Sequence, residues 1–540
     1  MEIYDYIVVG AGSSGCVVAS RLSADPSVRV LLLEAGAEMD NFWVRTPAGA
    51  GKLFMDKQFN WAFNTESVPT LGGRKVYWPR GKGLGGSSSI NGMIYMRGQP
   101  GDFDHWAALG NEGWGWADVL PYFVRSEANQ RGANAYHGAD GPLHVSDPAV
   151  RHPTADDFII AAQSVGIPRS NDLNGPPHEG VGYRQYTIRN GRRHTSYNAF
   201  IEPVRHRHNL TVRTGVRVTR VVLECGQATG VEVLENGQSR RIAAAREVIL
   251  SGGALASPHL LMLSGIGDGA ALHRHGIAPA VESPGVGRNL QDHWFGSLSW
   301  RVTPKSSYNH RLRGVHKYLE GARYLLTHGG YLALGAAPVT AYARSEASRP
   351  EADLQLTVSP MTFRFTPSGK PVVDDFAAIG ASVVLLTPDS RGHMELASRD
   401  PLQAPAFHPN YLSDPGDIRR TIAGMRIMRK IVQAQPLASR VVAEIIPGAS
   451  TDTDEQLLEH LKTSGNSGWH QVGTCKMGSD PLAVVDARLC VRGVQGLRVV
   501  DASIMPRIVA GNTNAPCIMI GEKAADMIRA DAVPARAVIS

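Results

Sequence analysis

The chain has 540 residues, far more than one hydrophobic core closes, so two packed domains are expected. Hydrophobic residues at 43% and charged residues at 19% exclude a disordered chain. The net charge of +6, from 55 basic and 49 acidic residues, is mild, and the clusters Arg192-Arg193-His194 and Arg205-His206-Arg207-His208 carry no interleaved aromatics. They read as solvated turns, and nucleic acid is not an expected partner.

Five cysteines, at 16, 225, 475, 490 and 517, form no CxxC pair. The odd count fits reduced thiols in a cytoplasmic setting. Cys475 follows His470 closely, but no second ligand cluster accompanies it, so no metal is expected. The first strand begins by Tyr6, leaving no room for a signal peptide. No apolar run reaches the ~18 residues of a membrane span, and peripheral association at the inner membrane face stays open.

Tyr6-Ile7-Val8-Val9 predicts a strand buried in a parallel sheet. Gly10-Ala11-Gly12-Ser13-Ser14-Gly15 follows, then helical spacing from Cys16 to Ser23, then a second strand from Val28 to Leu33 that ends on Glu34-Ala35. In this strand–helix–strand context Gly10 permits the tight turn and Gly12 lets backbone N–H groups approach a pyrophosphate. Gly15 lets the helix sit close on the strand. Glu34 is placed to bond ribose hydroxyls and would repel a 2′-phosphate. The pattern points to a dinucleotide and is silent between NAD and FAD.

The tract Trp78–Tyr95 contains Arg80, Gly85, Gly86, Ser87, Asn91, Gly92, Met93 and Ile94. It reads equally as a loop that passes its backbone along an extended cofactor and as a glycine-rich surface loop. Residues 209–214 and 216–223 alternate like half-exposed strands, and Glu247-Val248-Ile249-Leu250 reads as a buried strand before the Ser251-Gly252-Gly253 turn. Residues 300–460 carry no motif and are expected to wall a substrate cavity. Gly496 to Ser503 reads as a strand entering a tight turn. Pro516 to Arg529 suits a helix, with cap-type residues Asn512, Thr513 and Asn514 before it. Its positive N-terminal end would stabilise negative charge placed against it.

Residues 81–98 and Gly253–Gly267 resemble the two signatures of the glucose–methanol–choline (GMC) oxidoreductase family. With the N-terminal fingerprint and the block from Ser467 to Pro516, the resemblance covers essentially the whole chain. Within the family the sequence is most similar to bacterial choline-dehydrogenase-like enzymes, particularly medium-chain alkanol dehydrogenases. The resemblance implies an α/β chain, α+β overall, in the GMC architecture. A Rossmann-like FAD-binding domain would comprise 1–150, 205–295 and 465–540, and an antiparallel-sheet substrate domain 151–204 and 296–464. It also implies cofactor contacts at Val218, Asp501, Ala502, Asn512 and Thr513, besides those of the two glycine-rich tracts.

Ser467-Gly468-Trp469-His470 holds the family's catalytic histidine position, and Asn514 follows at the family's spacing. The implied reaction has His470 take the hydroxyl proton of an alcohol while Asn514 bonds the same oxygen; hydride passes to flavin N5. An unperturbed pKa of about 6.5 suits imidazole to this role. Position 90 is Ile where covalently flavinylated relatives place a linking His, which implies non-covalent FAD. Gly468 and Trp469 are expected in the substrate pocket, Gly468 leaving room for bulkier or secondary alcohols.

The function expected is an FAD-dependent alcohol dehydrogenase that passes electrons to a quinone or another acceptor. Two other enzymes fit the resemblance, an oxidase releasing hydrogen peroxide and a lyase of the hydroxynitrile type. A non-catalytic FAD scaffold is disfavoured by His470 and Asn514 together. Neutral alcohols rank ahead of choline, for which no carboxylate or aromatic cage is identified.

Overall fold

The computed structural model describes residues 2–366 and 371–532; Met1, 367–370 and 533–540, which the division above assigned to one domain or the other, lie outside the described residues. β1 (Glu2–Val9) runs parallel to β2 (Val30–Leu33), with Tyr6 opposite Val30 and Val9 opposite Leu33. Between them α1 (Ser13–Leu22) starts three residues earlier than its apolar spacing suggests, so Ser13 and Ser14 occupy its first turn. Close packing dictates two glycines here. A Cβ at Gly15 would sit 1.9 Å from the Gly10 carbonyl oxygen, and Gly10, at φ +102°, backs onto Ser251.

Strands 210–213, 30–33, 2–9, 238–250, 227–235 and 216–224 form the first sheet in that order, and Leu497–Val499 adds in parallel to Val248–Leu250. One half is a parallel, doubly buried core and the other an antiparallel meander. The long strand Gln238–Leu250 belongs to both. α2 (Gly253–Leu263) leaves the end of this strand at the expected Ser251-Gly252-Gly253 turn.

The second sheet is antiparallel, in the order 441–446, 294–302, 378–385, 354–359, 339–343 and 180–183. Helices Pro153–Ser164 and Pro415–Val432 cover one face. The small Gly424 lets the second helix settle on Val383 and Leu354. The opposite face presents Phe295, Gln355, Thr357, Ser382 and Val384 to a cavity, as period-two alternation requires.

α3 (His316–Thr327) lies apart from these layers and buries only Glu320 and Tyr324. The last described helix, α4 (Asn514–Ala530), packs along α1. It begins two residues before Pro516, which sits in the first turn where no N–H is needed. No described helix is long and apolar enough to cross a membrane.

Candidate active site

A cavity of about 500 Å³ lies between the two sheets. The N-termini of three helices form part of its wall: Gly12–Ser14 of α1, Gly252–Ala256 of α2 and Asn512–Asn514 of α4. None of the three carries a side-chain cap or an acidic residue in its first turn. At α2 the Gly253 N–H is taken by Asp501 and the Gly252 N–H by Ser257, so the electropositive ends in the wall are those of α1 and α4. Gly10, Ala35, Arg80, Gly86, Ser87, Asn91, Gly92, Met93, Ile94, Val218, Asp501 and Ala502 also line it.

Two predicted cofactor contacts do not reach the cavity. Gly15 is pressed onto Gly10, and Gly85, at φ +85°, donates its N–H to the Ala11 carbonyl at 2.8 Å. These glycines shape the loops that face the cavity; they do not face it themselves. Glu34 does line it, but both its oxygens already accept backbone N–H groups, from Ala11 at 3.0 Å and Gly36 at 2.8 Å. The carboxylate thus ties the first turn to the end of β2. Burial raises its pKa against these bonds. Asp501 is held likewise, accepting from Gly253 N at 2.8 Å, Ser257 Oγ at 2.5 Å and Ser503 N at 2.8 Å.

His470 lines the cavity, partly buried, and its ring is oriented from both sides. His293 Nε2 lies 2.9 Å from the Leu386 carbonyl, and a carbonyl can only accept, so Nε2 carries the proton. The other nitrogen of a neutral His293 is then a lone pair, and it faces His470 Nδ1 at 2.9 Å. Nδ1 of His470 must donate, which leaves its Nε2 as the acceptor. Asn512 Nδ2 donates to that nitrogen at 3.0 Å. Burial, then the charges of His293, Arg80 and Arg184, pushes the His470 pKa well below 6.5, and burial brings His293 down to about 4. Both rings are neutral at neutral pH.

The loop carrying His470 is fastened by Asp292. Its Oδ1 accepts the His470 N–H at 2.7 Å; its Oδ2 accepts Gln471 Nε2 at 2.6 Å and the hydroxyls of Ser467 and Tyr411. Arg80 donates to the Trp469 carbonyl at 2.5 Å, holding a residue whose φ of +61° is unusual for a bulky side chain. Trp469 lines the cavity and meets Phe54 edge-on, ring centroids 4.6 Å apart.

Gly468 lines the cavity too, but the room it provides differs from the room expected. A Cβ there would come within 3.1 Å of both His293 Cβ and His470 Nδ1. The missing side chain makes space for the histidine pair, not for a bulkier alcohol. Asn514 sits in the wall with its Oδ1 accepting the Ser13 hydroxyl at 2.7 Å, which turns its NH2 group the other way. The amide in direct contact with His470 is Asn512.

An extended nucleotide fits these residues. Besides the bare ends of α1 and α4, Ser251 Oγ, His259 Nε2, Gln471 Oε1 and Asn512 Oδ1 are buried side-chain atoms without a hydrogen-bond partner, all on residues of the cavity wall. Buried polar atoms without partners are rare and mark places where a polar ligand completes the bonding.

The GMC oxidoreductase family profile matches residues 4–295 and again residues 388–521. The chain belongs to the GMC oxidoreductase family. It is 42% identical to the alcohol dehydrogenase [acceptor] of Pseudomonas putida, over 97% of this chain and 96% of that protein. It is 40% identical to mitochondrial choline dehydrogenase of Mus musculus, over 97% of this chain and 89% of that one. The crystal structure of pyridoxine 4-oxidase from Mesorbium loti superposes with a TM-score of 0.89 at 32% identity, covering 98% and 100% of the two chains. A formate oxidase structure gives 0.90 at 27%, covering 98% of each. As a GMC oxidoreductase the chain is an FAD-dependent enzyme.

Sequence reasoning passed over Asp292, His293, Arg184 and the role of Asn512 beside His470. The adjacent pair Asp292-His293, just before the strand Trp294–Val302, is the one local signal that points there.

Proposed function

We propose that this enzyme oxidises the CH–OH group of a primary or secondary alcohol to a carbonyl, with His470 Nε2 as the proton acceptor. The fixed tautomer carries the reading: the chain Leu386 carbonyl, His293, His470 leaves one neutral lone pair on the cavity side. An incoming hydroxyl would replace Asn512 Nδ2 at that nitrogen and donate its proton there. The Asn514 NH2, oriented by Ser13, supplies a donor to the alcohol oxygen. When bound, without a covalent link because Ile90 offers no nucleophile, FAD supplies the acceptor for the hydride of the carbinol carbon. The uncapped start of α4 lies in the same wall and favours negative charge there.

A cationic alcohol such as choline fits poorly. The carboxylates of the lining, Glu34 and Asp501, are both engaged by the protein's own donors, while Arg80 and Arg184 stand on the same cavity as His470. The layout supports assigning 1–150, 205–295 and 465–540 to the flavin part and 151–204 and 296–464 to the substrate part.

The acceptor of the electrons is read as a quinone or another carrier, met at the cytoplasmic face of the inner membrane. One observation supports a membrane surface. α3 and its N-cap turn an apolar stripe outward, with Val315, Tyr318, Leu319, Leu325 and Leu326 exposed by 65, 69, 60, 64 and 84%. Arg311, Lys317 and Arg323 are exposed beside it. An apolar face rimmed by cations is the composition of an interfacial helix on anionic lipid. The segment after it continues to Ala336 and Ala337 in the cavity wall. Anaerobic mixing with alcohols, followed by reoxidation with quinone or oxygen, tests the reading. Bleaching of the flavin with quinone-dependent recovery is expected; hydrogen peroxide formed in step with substrate would assign an oxidase, which the pyridoxine 4-oxidase likeness keeps in view.

A further inference from the structure

Among the described residues six arginines are buried: 97, 184, 193, 420, 429 and 498. Four of them pair with carboxylates, namely Arg97 with Glu127, Arg420 with Asp417, Arg429 with Glu444 and Arg498 with Glu247. This is the ordinary way to keep a guanidinium out of water. Arg193 instead donates to the carbonyls of Val44, Ser88 and Asn91 and to the Asn91 side chain, and it does not face the cavity. Arg184 alone of the six lines the cavity and has no carboxylate partner.

Its orientation is fixed. Nη2 donates to Thr357 Oγ1 at 2.6 Å and Nη1 to the Ala337 carbonyl at 3.2 Å, while Nε is buried and unpartnered. Thr357 is itself held by Thr340 at 3.1 Å. The neighbours that raise its pKa against burial are the phenols of Tyr342 and Tyr186, neither of them an acid at neutral pH. The charge of Arg184 is also among those felt at His470, so the two groups act on one space. A built, preoriented cation with spare donors, on the wall that holds the base, is complementary to an anion brought in by the substrate.

Resting on the alcohol-oxidising reading, we infer that Arg184 is a specificity residue that receives a carboxylate carried by the substrate away from its carbinol carbon. The enzyme then acts on hydroxycarboxylic acids in preference to the uncharged alcohols that the sequence alone ranks first. No proton or electron passes through Arg184; it contributes position and charge pairing.

The test uses the FAD-loaded full chain and two series of probes. Hexanoate and hexanamide, which have no alcohol to oxidise, are titrated by calorimetry. Hydroxyhexanoate, its amide and 1-hexanol are compared in anaerobic flavin reduction. The carboxylate is expected to bind on the order of 100-fold more tightly than the amide, with the same preference in kcat/KM. Arg184→Met should bring both ratios close to unity at unchanged FAD content, and Arg184→Lys should keep part of the preference. Equal binding of carboxylate and amide by the wild-type protein overturns the inference without any variant. Loss of FAD from Arg184→Met with the carboxylate preference intact also overturns it, by assigning the residue to the cofactor. If hexanoate binds through Arg184 but no alcohol bleaches the flavin, the anion site stands and the alcohol-oxidising reading fails. If 1-hexanol bleaches it with no carboxylate preference, the converse holds.

Discussion

In the proposed reaction His470 is readied to accept a proton by a neighbouring ring. His293 is locked by the Leu386 carbonyl and in turn locks Nδ1 of His470. Replacing His293 with Ala should free the imidazole to swap tautomers and slow flavin reduction by about 10-fold or more, with binding of a non-reactive alcohol analogue little changed. Equal rates in variant and wild type would remove His293 from this role. The sign of the pH dependence follows from burial. Because the folded-state pKa of His470 lies well below 6.5, the base remains unprotonated as pH falls through that value. The reduction rate should therefore stay level between about pH 8 and pH 6; an inflection near 6.5 would mean that the ring titrates as if exposed. At this scale the sequence pointed to His470 and Asn514 but not to the residues they contact. His293 lies 177 residues from His470, and nothing local announces that the two rings meet.

Among the elements, α3 invites the simplest experiment. A helix whose buried side chains are a glutamate and a tyrosine, and whose leucines face out, is inverted relative to a helix that packs on a core. Leu319→Asp with Leu326→Asp should abolish flotation with vesicles rich in anionic lipid and leave the melting temperature within a few degrees, because neither residue packs inward. Vesicle binding that survives both substitutions would place the membrane contact elsewhere. The first strand, helix and strand were legible because their signals are local: an apolar run, a glycine turn and a carboxylate in register. The second sheet was not. Leu354–Ser359 is buried along almost its whole length, with Gln355 and Thr357 toward the cavity and Leu356 and Val358 away from it. The strand does alternate, Leu354, Leu356 and Val358 against Gln355, Thr357 and Ser359, but so short an alternation does not tell that it pairs with Val339–Ala343 and Ala378–Leu385.

Over the whole molecule, the cavity separates two sheets that share one continuous apolar core. Its wall holds bare helix ends and unpartnered polar atoms that a bound nucleotide would satisfy. Removing FAD should lower the melting temperature, and adding FAD back should restore it in proportion to the logarithm of its concentration. Acid precipitation should leave the flavin in the supernatant; yellow colour retained on the precipitate would contradict non-covalent binding at Ile90. The central claim is proton transfer from an alcohol to His470. Its most direct measurement is stopped-flow flavin reduction under anaerobic conditions, comparing the wild-type enzyme with His470→Ala. The account predicts that a hydroxylated substrate bleaches the wild-type flavin and that the variant, with FAD still bound, is slower by at least ~100-fold. Equal rates in the two proteins would contradict it.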